Sequence, residues 1–212
     1  VRVRLDSTNL TYQAEIWSVE NPALYDVDIT VWKGERAVDR VGSYFGLRDF
    51  TAKEGKLLCN NVPFYARLLL DQGYWAQSGI TPPDEEALIR DIELCKKMGF
   101  NGVRKHQKVE DERFLYYADV MGFVVWCELP SNHWASDDAS CEITREWLSI
   151  VRQNYNHPSV VTWVIFNESW GVRNIRTSAV QSNLATGLYY LTKSIDPMRP
   201  VISNDGWVHA ES

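Results

Sequence analysis

The sequence lacks any apolar run close to the roughly 18 to 20 residues that a membrane-crossing helix needs, so it carries no candidate span and a soluble protein with no membrane partner is expected. It also lacks a signal-peptide pattern, because the opening Val1-Arg2-Val3-Arg4-Leu5 alternates like a strand. The natural N-terminus is expected to be missing, and the compartment is unknown. Basic residues are few, with Lys and Arg at 22 against 28 Asp and Glu and a net charge of -6. The only basic clusters, Lys96-Lys97 and Arg104-Lys105, are too short for a nucleic-acid surface, which argues against a polyanion partner. Cysteine is scarce as well. Cys59, Cys95, Cys127 and Cys141 lack the close pairing of a zinc site, and they read as small buried hydrophobes that demand no disulfide. No metal site and no cofactor is read from these residues, although a divalent cation elsewhere in a longer parent stays open.

What is present is an ordinary globular composition, 45% hydrophobic and 24% charged. Its most informative stretch runs from Asn156 to Gly171. From Val160 to Phe166 nearly every residue is apolar or β-branched, the pattern of a strand covered on both faces in a parallel sheet. Pro158 marks its entrance and Gly171 lets the chain turn away after it. Asn167 and Glu168 thus fall at a strand's carboxyl end, where parallel α/β folds collect functional groups. Glu168 alone could be an ordinary loop carboxylate. Trp163, Phe166 and Trp170 change that reading, because apolar surface raises a carboxyl pKa and makes a general acid usable near neutrality. Aromatic faces beside polar groups also suit sugar rings.

Residues 1 to about 50 read as strands: Val1–Leu5, Glu15–Trp17, Tyr25–Trp32 with Val27, Ile29 and Val31 on one face, and Arg36–Tyr44. The pattern changes from Thr51. Two short strands flank Asn60-Asn61, and Phe64–Leu70 reads as the first strand of a parallel sheet, ending at Asp71-Gln72-Gly73-Tyr74-Trp75. Helices are expected over Asp84–Met98, with Leu88, Ile92 and Cys95 as its stripe; over Asp111–Met121, with Phe114, Leu115 and Ala118 inward; over Glu142–Tyr155, with Ile143, Trp147, Ile150 and Val151; and along Val180, Leu184, Leu188, Leu191 and Ile195. The strands between them are Asn101–Arg104, Phe123–Cys127, Val160–Phe166 and Val201–Ser203.

Strands alternating with single amphipathic helices specify right-handed parallel crossovers. Asp71, Arg104, His106, Glu128, Asn167, Glu168, Asn204 and Asp205 each follow directly on a strand, so one geometric rule gathers them at one rim. Taken singly, Arg104 could be a structural ion-pair partner, His106 a loop residue and Asp205 a turn former. Trp75 and Trp207 stand in the adjoining loops and join the candidate set as sugar-binding aromatics.

The run His157-Pro158-Ser159-Val160-Val161, then Trp163, then Asn167-Glu168, resembles the acid/base segment of glycoside hydrolase family 2, which holds β-galactosidases, β-glucuronidases and β-mannosidases. Gly99-Phe100-Asn101-Gly102-Val103-Arg104, and Phe114, Asp119, Gly122, Val125 and Glu128, are similar to the family's second and third barrel strand units. Trp17-Ser18-Val19-Glu20-Asn21-Pro22, with Tyr44-Phe45-Gly46-Leu47-Arg48, is similar to the end of the immunoglobulin-like domain before the barrel. One departure is visible: many β-galactosidases space the pair as Arg-x-x-His, against Arg104-Lys105-His106 here.

The resemblance implies an α/β fold, about the first five βα units of a (β/α)8 TIM barrel over residues 51–212, preceded by strands of an incomplete immunoglobulin-like β-sandwich over residues 1–50. It implies Glu168 as the general acid/base of a retaining, exo-acting β-glycosidase, with Asn167 contacting the sugar's 2-hydroxyl. Asp71, Trp75, Arg104, His106, Glu128, Asn204, Asp205 and Trp207 would line the carbohydrate. The nucleophile is expected on a later strand, beyond Ser212, so the chain by itself is expected to be inactive; Glu128 is the weaker candidate for that role. A homo-oligomeric parent, a non-catalytic carbohydrate-binding fragment and an endo-acting glycanase of the same clan stay open.

Overall fold

The computed structural model describes residues 14–210, so the strand expected over Val1–Leu5 lies outside the described residues. An antiparallel hairpin comes first, β1 (Tyr25–Lys33) and β2 (Arg36–Phe45), turning at Gly34 with φ +60°. A small antiparallel sheet follows, β3 (Phe50–Lys53), β4 (Lys56–Cys59) and β5 (Val62–Pro63). The rest alternates strand and helix: β6 (Leu68–Asp71), α1 (Glu85–Lys97), β7 (Gly102–Lys105), α2 (Glu112–Met121), β8 (Val124–Glu128), α3 (Asp137–Asn154), β9 (Val160–Asn167), α4 (Ala179–Ile195) and β10 (Val201–Asp205). The five strands form one parallel sheet in the order β10-β9-β8-β7-β6. Each strand is thus beside its sequence neighbour, and all five C-terminal ends share one rim.

The helices form where capping and apolar spacing agree. Asp84 and Ser136 cap α1 and α3 by accepting from the backbone N–H three residues on, and Gly122, at φ +64°, closes α2. Leu88, Ile92 and Cys95 of α1, Phe114, Leu115 and Ala118 of α2, and Ile143, Trp147, Ile150 and Val151 of α3 are all buried. They pack with Val103, Val125, Cys127, Trp163 and Phe166 into one core. A second cluster, Trp17, Phe50, Cys59, Val124 and Val161, joins the N-terminal segment to the sheet.

Several expectations need correction. Glu15–Trp17 is irregular and not a strand: Trp17 is buried by itself, its indole N–H donating to Asp119 O at 2.8 Å, while Ile16 stays exposed. β3 went unrecognised because only Phe50 of its four residues is buried. The first parallel strand starts at Leu68, four residues late, since Phe64 is occupied edge-on against Phe50 at 5.5 Å. α3 begins at Asp137, five residues early, because its first turn is fixed by the Ser136 cap and not by apolar residues. Ile29 and Val31, expected to share one face of a strand, are exposed there, and Val180, expected on a helix stripe, is exposed, as is Cys141.

The entrance of β9 is held from three directions. The buried Asp119 accepts from Ser159 N–H at 2.8 Å and from Tyr44 O–H at 2.8 Å, and His157 Nδ1 lies 2.6 Å from it. Arg48 donates to Pro158 O at 2.6 Å and to Val160 O at 2.5 Å. Arg199 donates to Val160 O, Tyr155 O and His157 O at 2.6, 2.8 and 3.0 Å. These bonds satisfy carbonyls that would otherwise be buried without partners, and they fix the strand on which Asn167 and Glu168 are mounted.

Candidate active site

The centre of the rim is Arg104 at the end of β7. Its Nε donates to Glu128 Oε2 on β8 at 2.6 Å, its Nη2 to Asn167 Oδ1 on β9 at 2.5 Å, and its Nη1 pairs with Asp205 Oδ2 on β10. One planar guanidinium thereby ties together four strand ends, a task for which its fixed fork of donors is suited. Glu128, with no exposed surface, has both oxygens committed: Oε1 accepts from Gln107 N–H at 2.8 Å. His106 Nδ1 lies 3.2 Å from the same Oε1 without hydrogen-bond geometry. Glu128 therefore reads as the anchor of Arg104.

Asn167 is buried at 2% exposure, and its Nδ2 has no hydrogen-bond partner among the described residues. Glu168 follows it with its side chain exposed and with φ at +49°, and Ser169 repeats the left-handed conformation at +61°. Two such residues in succession are sterically costly. The neighbouring strand holds them there: Glu168 N–H donates to Asp205 O at 2.7 Å, Ser169 N–H to Asn204 Oδ1 at 2.9 Å, and Asn204 Nδ2 to Ser169 Oγ at 3.0 Å and to Val208 O. Gly206 fits close by, where an added Cβ would meet Glu168 Cα at 3.4 Å.

The candidate residues thus divide. Arg104, His106, Glu128, Asn167 and Asp205 come together through side chains. Asn204 acts on the turn bearing Glu168 and is spent there, with no donor left for a sugar. Asp71 stands at the same rim but turns away from Arg104. Lys105 Nζ meets its Oδ2 at 2.5 Å, and Gly73 N–H donates to its Oδ1 at 2.8 Å. Burial pushes the Asp71 carboxyl up, but Lys105 and the Gly73 N–H outweigh it and hold it below the usual carboxylate range. Trp75 belongs to that flank too, with Lys108 Nζ 4.7 Å from its ring centroid. Trp207 is 75% exposed in the loop after β10.

Two expectations about the surroundings of Glu168 are corrected. Trp163 is fully buried, its indole N–H donating to Asp196 Oδ2 at 2.8 Å and its ring edge-on to Trp147. Phe166 is likewise fully buried, in the main core. Only Trp170 stands in the same turn as the acid. Sequence reasoning also missed Lys105, whose Nζ is buried between Asp71, Glu110 Oε2 at 2.7 Å and the Phe114 ring at 4.0 Å. The period of two along a strand was the available signal: Arg104 and His106 share one face, and Lys105 must take the other. Among the described residues, no group of three or more His, Cys, Asp or Glu could hold a metal ion, and no helix is long and apolar enough to cross a membrane.

Residues 50–211 match the model of the glycosyl hydrolases family 2 TIM barrel domain, and residues 3–48 match a second model, glycosyl hydrolases family 2. A β-galactosidase of Leuconostoc mesenteroides is 28% identical over 195 residues, covering 88% of this chain and 18% of that protein. A β-glucuronidase of Streptococcus agalactiae is 28% identical over 183 residues, covering 77% and 30%. The chain therefore spans less than a third of the length of these relatives. Among solved structures, a family 2 β-galacturonidase from Eisenbergiella tayi bound to galacturonate superposes with a TM-score of 0.80 at 26% identity, covering 89% of this chain and 34% of that one. A β-glucuronidase of Parabacteroides merdae, at 22% identity, shares the fold with a TM-score of 0.78 over 88% of this chain and 24% of its own. The five-stranded parallel sheet is part of a TIM barrel, the β1–β2 hairpin before residue 49 is part of an immunoglobulin-like sandwich, and the chain belongs to glycosyl hydrolase family 2.

Proposed function

We propose that this chain carries the acid/base half of a retaining, exo-acting β-glycosidase site, with Glu168 as the proton donor to the glycosidic oxygen. The observation that carries the reading is the placement of Glu168. It is an exposed carboxyl at the C-terminal mouth of a barrel strand, held in a strained left-handed turn by Asn204 and Asp205. Strain of this kind persists where the surroundings over-determine it, and it clusters at functional sites. Asn167 supports the reading, since its unpartnered Nδ2 beside Glu168 can donate to a sugar hydroxyl.

In this mechanism Glu168 protonates the leaving oxygen, a second carboxylate attacks the anomeric carbon, and the deprotonated Glu168 then activates water to release the sugar. The second carboxylate must stand about 5 to 5.5 Å from Glu168. Glu128 is poorly placed for attack because Arg104 and Gln107 N–H occupy its oxygens. The nucleophile is assigned to another strand of the polypeptide that carries this sequence.

The test is Glu168→Gln in that polypeptide. Loss of the proton donor should slow substrates with poor leaving groups by about 10² to 10⁴-fold, while activated aryl glycosides, which need no proton, keep most of their glycosylation rate. Equal losses on both would remove the assignment. Unchanged sugar affinity without turnover in the parent would instead favour a carbohydrate-binding role.

A further inference from the structure

The turn beyond Glu168 holds a second set of groups that the proton-donor reading does not use. Trp170 N–H donates to Asn167 O at 2.9 Å and Val172 N–H to Ser169 O at 3.0 Å, so the chain folds back over the strand end. The Arg173 guanidinium lies 4.5 Å from the Trp170 ring centroid and 5.7 Å from that of Trp134, which comes from the loop after β8. His133 meets Trp170 edge-on at 5.3 Å. The two loops are closely packed. Gly171 has φ +78°, and a Cβ there would come within 2.9 Å of Asn132 O.

Arg173 is exposed, and among the described residues it has no carboxylate within salt-bridge distance, in a chain with more acidic than basic residues. Arg104, by contrast, is already engaged by Glu128, Asn167 and Asp205. Stacking on indole faces restrains a guanidinium while leaving its N–H edge free, and that edge matches a carboxylate bidentately. Position decides which part of a substrate it would meet. Asn167 and Glu128 are buried at the strand ends, whereas Trp134 is 77% exposed and Arg173 is exposed in the turn that follows the one bearing Glu168. A proton donor touches the bridging oxygen, so groups carried outward from it face what leaves.

We infer that Arg173, seated on Trp170 and Trp134, binds a carboxylate on the leaving-group side, and that the substrate is a glycoside joined to an acidic unit such as a uronic acid. This rests on Glu168 as the proton donor, which fixes the side of the bond.

The experiment is calorimetric titration of the polypeptide carrying this sequence with matched 4-carboxyphenyl and 4-nitrophenyl β-galactosides, β-glucosides and β-mannosides. Free galacturonate and glucuronate form the second arm. The carboxyphenyl member of the binding pair should be preferred, and Arg173→Gln should cut that preference by about 10- to 100-fold. Trp134→Ala, on an exposed side chain, should cut it in the same direction. A preference that Arg173→Gln leaves intact overturns the inference while the sugar site stands. Loss confined to the free uronates moves the carboxylate to the other side of the bond and overturns the leaving-group assignment. If none of the sugars binds, the sugar site itself fails, and this inference with it.

Discussion

At the entrance of β9, Arg199 donates to the carbonyls of Val160, Tyr155 and His157 and pairs with the buried Asp196 at 2.6 Å; at its exit, Arg104 is surrounded by Glu128, Asn167 and Asp205 from three other strands. Both cations close a network around one strand, yet their partners differ in kind. Carbonyls cannot ionise or leave, so the bonds that Arg48 and Arg199 donate to them serve to fix the strand. Carboxylates and an amide with a free donor can exchange partners with a sugar, so the exit network can respond to a ligand. Arg48 repeats the pattern of the entrance, and the one exposed acid of the exit, Glu168, is outside the grip of Arg104. The strand is thus clamped where it starts and chemically open where it ends.

The largest effect expected from this contrast is on stability. Arg199→Met should leave Asp196 without its cation and the carbonyls of Tyr155 and His157 without this donor, costing about 3 to 5 kcal/mol. A urea-denaturation loss under about 1 kcal/mol would mean that the entrance is not a clamp. Next comes Arg104→Lys, which keeps the charge but loses the fork. It should lower kcat/KM by about 10²-fold through misplacement of Asn167 and Glu128. Unchanged kinetics would make the exit as purely architectural as the entrance. Tyr44→Phe removes one hydrogen bond to Asp119 and should cost about 1 kcal/mol, with no change in KM.

The smallest effect is in acid. The Asp196 carboxyl is pushed up by burial but held below its ordinary value by Arg199 and the Trp163 N–H, which outweigh it. A depressed carboxylate contributes stability that is complete above its unfolded pKa of about 3.9 and is lost as pH falls through the lower folded value. Asp196→Asn should therefore make the stability profile shallower below about pH 4. An unchanged acid slope would contradict the pairing.

Legibility in the sequence followed burial. The parallel strands and helix stripes were readable because Val160–Phe166, Phe114-Leu115 and Ile150-Val151 are both apolar and buried. The rim was readable because a strand end is a position, and position needs only the strand. What was not readable is how charges pair once there. Lys105 sits one residue from Arg104 and turns to the opposite side, drawing Asp71 with it, and a fully buried lysine runs against the usual distribution. Asp119, Asp196 and Arg199 are buried, and Arg48 half-buried, among partners 3 to 112 residues away in sequence. Such pairs carry no local pattern. Trp163 was assigned to the acid by closeness in sequence, whereas the strand carries its side chain into the packing with Trp147.

The most direct test of Glu168 as acid/base uses Glu168→Ala with an activated aryl glycoside and added azide. Azide attacks a glycosyl intermediate without a general base, so rescue of turnover and a β-glycosyl azide, of the same anomeric configuration as the substrate, are expected. Absence of rescue, or an α-azide, would contradict that role.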